Sequence, residues 1–234
     1  MLIDMHVHSS GISKCCKIPY DEAIRRARDA GIDAIVLTNH YFDGYVADGD
    51  YAAFAKRYVE EYYAAKAYGD SMGYPVFFGI ELSYNAMQDA HIPIYGVAPE
   101  FLLEHPTLFD YAPEMLYALV HEQGGIVVQA HPLRRGETVR DLQYLDGIEM
   151  NCHPKYEGPL YETLAPVASD GGKFVTCGSD YHGDVPFRPV CGVQCPEGID
   201  SVEKLVTFLT SAKTINLHLS EVDGVHREEV FERT

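Results

Sequence analysis

Short apolar runs ending in polar residues alternate along this chain with longer segments of helical period. Seven such runs stand out, at residues 2–7, 34–37, 76–82, 92–97, 126–130, 147–150 and 174–177. Helices are predicted between most of them, at residues 20–30, 51–68, 113–123, 160–169 and 201–211. Pro19 precedes the first, Asp21 and Glu22 suit its positive end, and Gly31 can take the left-handed stop. Gly69 is the expected stop of the second, Gly124-Gly125 of the third and Gly171-Gly172 of the fourth. Strand and helix in alternation predict β/α units and a largely parallel sheet. No linker, charge block or internal repeat divides the sequence, so one domain over residues 1–234 is expected. The polar stretch 213–234 is a tail of unassigned role, packed or frayed.

The histidines and acids punctuate these runs. Asp4, His6 and His8 close the first, and period-two alternation places all three on one face of a strand. His40 follows the second, Glu81 ends the third, His131 ends the fifth, and Asp180 and His182 follow the seventh. In a parallel β/α barrel the C-terminal strand ends build the active site, so these groups should converge. His91 opens its run instead, so the fourth run either lies antiparallel or begins near the site. Imidazole and carboxylate donors suit zinc, iron or manganese, and a set of this size can hold two or three ions bridged by a carboxylate such as Glu81.

Composition narrows the class. Apolar residues are 47% and charged residues 23% of 234, as in a compact globule. With 18 Lys+Arg against 35 Asp+Glu the net charge is −17, which repels nucleic acid and anionic membranes. A short anionic substrate remains admissible, because clustered cations dominate a pocket's potential. No apolar run approaches the ~18 residues of a membrane span. Six cysteines without a Cys-x-x-Cys pair, and a start with neither a basic leader nor a long apolar stretch, predict reduced thiols and a cytoplasmic location. Gly-x-Ser-x-Gly, the Gly-x-x-x-x-Gly-Lys-Ser/Thr phosphate loop, Gly-x-Gly-x-x-Gly and a Cys-x5-Arg phosphatase loop are all missing, which leaves metal-assisted hydrolysis.

Asp4-x-His6-x-His8, His40, Gly79-Ile80-Glu81, His91 before an apolar strand, Ala130-His131-Pro132 and Gly178-Ser179-Asp180-x-His182 fall in the order and spacing of the PHP (polymerase and histidinol phosphatase) family, which the chain resembles over residues 2 to about 193. The resemblance implies a distorted seven-stranded (β/α) barrel, similar to a TIM barrel, with up to three metals. It implies His6, His8, Glu81 and Asp180 around one metal, Glu81, His91 and His131 around a second, and His40 with His182 at a third. Many relatives place an Asp or His about six residues beyond the second His, where this chain has Lys14 within Ser13-Lys14-Cys15-Cys16-Lys17. A protonated lysine is a poor ligand. The third site then lacks a ligand or takes a thiolate from Cys15 or Cys16, or the loop simply packs.

The function expected is hydrolysis of a small phosphorylated metabolite, like that of a histidinol phosphatase, by a hydroxide bridging two or three Zn, Mn or Fe ions. Glu81 is the expected bridge, and the third metal, or else His40 or His182, assists the leaving group. Arg134 and Arg188 are the expected phosphate contacts, with Arg135, Lys14 and Lys17 nearby. Cys152 and His153 either face the site or lie behind it. The alternatives are a phosphoprotein phosphatase or nuclease of the same fold, and a non-catalytic metal-binding regulatory module.

Overall fold

The computed structural model of the chain describes residues 1–87, 90–183 and 188–233. All seven predicted runs form strands, here β1 (Leu2–Val7), β2 (Ala34–Leu37), β4 (Val76–Tyr84), β5 (Ala90–Tyr95), β6 (Ile126–Gln129), β7 (Gly147–Asn151) and β8 (Phe174–Gly178). Among the described residues four further strands accompany them: β3 (His40–Tyr41), β9 (Gly192–Gln194), β10 (Thr214–Ser220) and β11 (His226–Glu232). The helices are α1 (Tyr20–Asp29), α2 (Tyr51–Ser71), α3 (Phe101–Glu104), α4 (Pro113–Glu122), α5 (Tyr161–Asp170) and α6 (Val202–Ser211). The strand count therefore departs from the expected seven. β3 and β9 are too short to show a period, and the presumed tail is the hairpin β10–β11, whose outer strand is polar because one face meets water.

Ten strands follow one order, β11-β10-β9-β1-β2-β4-β5-β6-β7-β8, with β3 paired beside β4. β1, β2 and β4 are mutually parallel, as are β6, β7 and β8. β5 lies antiparallel to both its neighbours, which brings His91, at its start, to the end of the barrel where the other strands finish. The sheet nearly closes because the end of β8 returns to β1. Val7 bridges Tyr181 in parallel, and Ser179 N donates to Asp4 Oδ1 at 2.9 Å. This seam is tight: a Cβ on Gly178 would lie 2.3 Å from His6 Cβ, so only glycine fits where β8 passes β1.

Alternation on β4 separates core from site. Val76, Phe78, Ile80 and Leu82 join one apolar cluster with Tyr58 and Tyr62 of α2, which leaves Glu81 on the opposite face. α2 begins at a good cap, Asp50 accepting from Ala53 N at 3.0 Å, and continues three residues past its predicted end. Gly69 is inside the helix, where a Cβ would meet Tyr74 O at 2.5 Å. It permits a close approach, and the left-handed stop comes at Gly73. Among the described residues no helix is long and apolar enough to cross a membrane.

Candidate metal centre

The strand ends bring all eight predicted groups to one place. β1 supplies His6 and His8, β3 His40, β4 Glu81, β5 His91, the turn after β6 His131, and the turn after β8 Asp180 and His182. Glu81 is fully buried at the centre. Its Oε1 lies 3.2 Å from His6 Nε2, 2.9 Å from His91 Nδ1 and 3.2 Å from His131 Nε2. Its Oε2 lies 2.5 Å from His40 Nδ1 and 3.4 Å from His8 Nε2. Asp180 Oδ1 stands 3.1 Å from His8 Nε2, 3.5 Å from His6 Nε2 and 3.4 Å from His182 Nδ1. His40 and His182 meet through Nε2 atoms 3.4 Å apart.

The outer hydrogen bonds fix which nitrogen faces inward. His6 Nδ1 is 2.7 Å from Glu149 Oε1, an acceptor only, so Nδ1 carries the proton and Nε2 presents a lone pair. Ser13 Oγ donates its one hydrogen to Asn39 Oδ1 at 2.8 Å, so it accepts from His8 Nδ1 at 3.1 Å and again frees Nε2. His182 Nδ1 donates to Asp180 O at 2.8 Å, with the same result. His6 Nε2 and His8 Nε2 thus face Glu81 and Asp180 oxygens, while His91 Nδ1 and His131 Nε2 hydrogen-bond with Glu81 Oε1. Burial disfavours the cations of His6 and His40, but Glu149 and Glu81 outweigh it at His6 and Glu81 at His40, so both are raised. Among the described residues His6 Nε2, His8 Nε2, Glu81 Oε2, His131 Nδ1 and Asp180 Oδ1 are buried and have no hydrogen-bond partner. Each such atom costs about 1–3 kcal/mol unless something satisfies it. Cations held at about 2.0–2.2 Å space their ligand atoms roughly 3–3.5 Å apart, the spacing seen here.

These atoms fall into three overlapping groups able to hold an ion: His6, His8, Glu81 and Asp180; His40, Glu81 and His91; and His8, His40 and His182. Their electrostatics agree with an ionised acid pair. Burial opposes charge on Glu81, but His40, His6, His91 and His131 outweigh it and hold the carboxyl well below its usual range. Burial likewise opposes charge on Asp180, and His6, His182, His8 and Arg134 overcome it. For His8, burial and the neighbouring His182 and His40 disfavour the cation, keeping a neutral imidazole. Backbone strain marks the same place: His131 and Asp180 have φ of 30° and 51°, left-handed values costing about 1–3 kcal/mol each. Glu149 Oε2 holds His131 N at 2.9 Å and so helps to impose one of them.

Glu149 is the residue that sequence reasoning missed. It lies fully buried on β7, binds His6 and His131, and accepts from Asn151 Nδ2 at 3.0 Å. The signal available was an acid set between Ile148 and Met150 in a predicted strand. Arg134 Nη1 donates to Asp180 Oδ2 at 2.6 Å, and its guanidinium stacks 3.5 Å from the Tyr156 ring centroid. A cavity of about 150 Å³ opens here, lined by Cys15, His40, His91, Arg134, His153, Lys155, Tyr156, Asp180 and His182.

The loop after β1 sends its side chains to different places. Cys15 lines the cavity. Burial raises its thiol pKa, but His182 and His40 outweigh that and draw it down to about 5. Lys14 instead lies over the Tyr45 ring at 4.9 Å, while Cys16 is buried and donates to Ile18 O and His182 O at 3.5 Å. Arg188 corrects the sequence reading. Its Nη2 donates to Asp4 Oδ2 at 2.6 Å and its Nη1 to Ser179 Oγ at 2.5 Å, and it does not line the cavity. The buried carboxylate of Asp4 demands a cation, and Arg188 supplies it. His153 lines the cavity, whereas the Cys152 sulfur turns to Cys177 at 3.7 Å.

No protein-family model matches the sequence, and no curated protein matches it. Solved structures do match. A protein from Bifidobacterium adolescentis described as a metal-dependent phosphoesterase is 15% identical, with TM-score 0.54 over 80% of this chain and 90% of its own. PsfC from Pseudomonas syringae is 20% identical, with TM-score 0.56 over 93% and 81%. An amidohydrolase from Chromobacterium violaceum, with sulfate bound and no metal, is 17% identical, with TM-score 0.55 over 88% and 96%. The chain is similar to these proteins in fold, a barrel-like α/β architecture that includes metal-dependent hydrolases.

Proposed function

We propose that this chain is a metal-dependent phosphoesterase of the PHP type, acting on a small phosphorylated metabolite in the manner of a histidinol phosphatase. The observation that carries the reading is Glu81, a buried carboxylate with five imidazoles on its two oxygens, beside a cavity walled by Arg134. His6, His8, Glu81 and Asp180 would hold one ion, and Glu81, His91 and His131 a second. His40 and His182 would hold a third with Cys15, a reading supported by the three residues lining one cavity. Divalent cations bound there supply the positive charge that activates water and neutralises the oxygens of a phosphoryl group.

The chain's own groups do the rest. Glu149 and Ser13 keep the proton on Nδ1 of His6 and His8, so that Nε2 stays a donor of its lone pair. Arg134 is the phosphate contact, its guanidinium set by Asp180 and Tyr156 and presented to the cavity. His40 and His182 hold a proton or a cation between facing Nε2 atoms, where a leaving oxygen would need either. The small cavity favours a free metabolite over a phosphoprotein, and the charge of −17 counts against a nuclease.

The test is a panel of phosphorylated metabolites and simple amides assayed with added Mn²⁺, Zn²⁺ or Fe²⁺. Phosphate release that disappears in Glu81→Gln is expected. Amide hydrolysis without phosphate release would reject the phosphoesterase reading while keeping the centre.

A further inference from the structure

A second set of donor atoms lies on the neighbouring strands β7, β8 and β9. Cys152 directly follows β7, Cys177 lies in β8 and Cys191 directly precedes β9, with exposures of 1%, 0% and 0%. Their three Sγ atoms lie within 4.8 Å of one another, and Cys152 and Cys177 are 3.7 Å apart. Thiolates at about 2.3 Å in a tetrahedral zinc site are spaced about 3.8 Å apart, so three sulfurs would fill three of its four positions. The separations therefore suit an ion, and no strand need move far to receive one.

Buried cysteines are ordinarily small apolar residues with weak S–H donors. This cluster has features beyond that. The Cys152 sulfur accepts from Ser220 N at 3.4 Å and has two other sulfurs beside it, an arrangement of donors around one acceptor. Burial opposes a thiolate at Cys152, but the Cys177 and Cys191 thiols and Ser220 N–H outweigh it and lower its pKa. Burial, and after it the Cys152 sulfur, push the Cys177 and Cys191 thiols well above their usual range, so these two keep their protons until a cation displaces them. Ser220 Oγ is buried there without a hydrogen-bond partner among the described residues.

We propose that Cys152, Cys177 and Cys191 hold one thiophilic divalent cation of the Zn²⁺ class, in a closed structural site separate from the histidine centre. Each protonated thiol gives its proton to solvent as its sulfur binds the ion. Three thiolates and a dication leave one net negative charge, which Ser220 N–H faces. Softness separates the two sites, because thiolates select zinc-like ions while the carboxylate-rich centre also accepts manganese. An ion here fastens β7, β8 and β9 together at the seam where the barrel closes, three residues from Asp180.

Cadmium is the probe, because thiolate–cadmium bonds absorb in the ultraviolet and shift cadmium NMR strongly. The full chain should be produced in medium supplied with cadmium, since a sealed cluster fills as the chain folds. One cadmium per chain with a multi-thiolate resonance is expected. Cys15→Ser removes the thiolate of the histidine centre, and in that background the charge-transfer band should remain and should vanish when Cys191→Ser is added. Cadmium resonances of nitrogen and oxygen ligation alone would overturn the site, as would a band that survives the double substitution. A Cys152–Cys177 disulfide found by mass spectrometry in the protein as purified would overturn it too. If Cys191→Ser does not fold, the resonance of the unaltered chain still decides.

Discussion

Two buried clusters lie on either side of the seam between β8 and β1 and differ in what their hydrogen bonds leave unsatisfied. In the histidine–carboxylate cluster, Glu149, Ser13 and the Asp180 carbonyl occupy the outer nitrogens, so lone pairs and anionic oxygens are turned toward one another beside an open cavity. In the thiol cluster the sulfurs accept from and donate to backbone and to each other, and nothing opens to solvent. The difference teaches what burial alone does not. A cluster with unmet acceptors at a cavity is built for a bound charge that meets substrate, and a sealed cluster with soft donors is built to hold strands together.

The comparison can be broken most directly at Glu81. Glu81→Gln keeps the shape and removes the charge that five imidazoles surround, so hydrolysis should fall on the order of 10³-fold, the scale of losing a transition-state contact. His131→Ala should behave alike. Turnover unchanged in Glu81→Gln, measured by phosphate release, would dismiss the bridging role. Glu149→Gln touches no ion yet frees the His6 ring and the strained His131 turn, and should weaken metal affinity by roughly 10–100-fold. Competitive titration with a chelating dye reads that loss, and wild-type affinity would reduce Glu149 to packing.

Cys15 sharpens the contrast between hard and soft donors, since it places one thiol inside the cavity centre. Cys15→Ser should weaken the third ion by about tenfold, while Lys14→Asp should matter little because Lys14 lies over Tyr45. Metal titration decides, and the reverse order of effects would return the third site to the Lys14 position. Arg188→Ala should act on folding: leaving Asp4 buried and unpaired costs about 3–5 kcal/mol, read by urea unfolding. A raised KM with stability retained would instead restore Arg188 as a phosphate contact.

Much of the centre was legible because alternation fixes a face. His6 and His8 two apart on an apolar strand, and acids or histidines closing successive runs, carry their direction in local order. The orientation of β5 was left open, because only its pairing with β4 and β6 shows that it runs antiparallel. Glu149 and Arg188 were not legible, since their meaning lies in partners 143 and 184 residues away. The β10–β11 hairpin was read as a tail because an outer strand with polar residues on a wet face resembles polar coil. The thiol cluster left no motif, because its cysteines sit on three separate elements.

The most direct measurement is a manganese-edge anomalous difference map from crystals of protein loaded with Mn²⁺, an ion the thiol cluster disfavours. Two peaks, each within bonding distance of a different Glu81 carboxylate oxygen, are expected. A map with no peak near Glu81 in protein that still hydrolyses its substrate would contradict the claim that this carboxylate bridges the reactive centre.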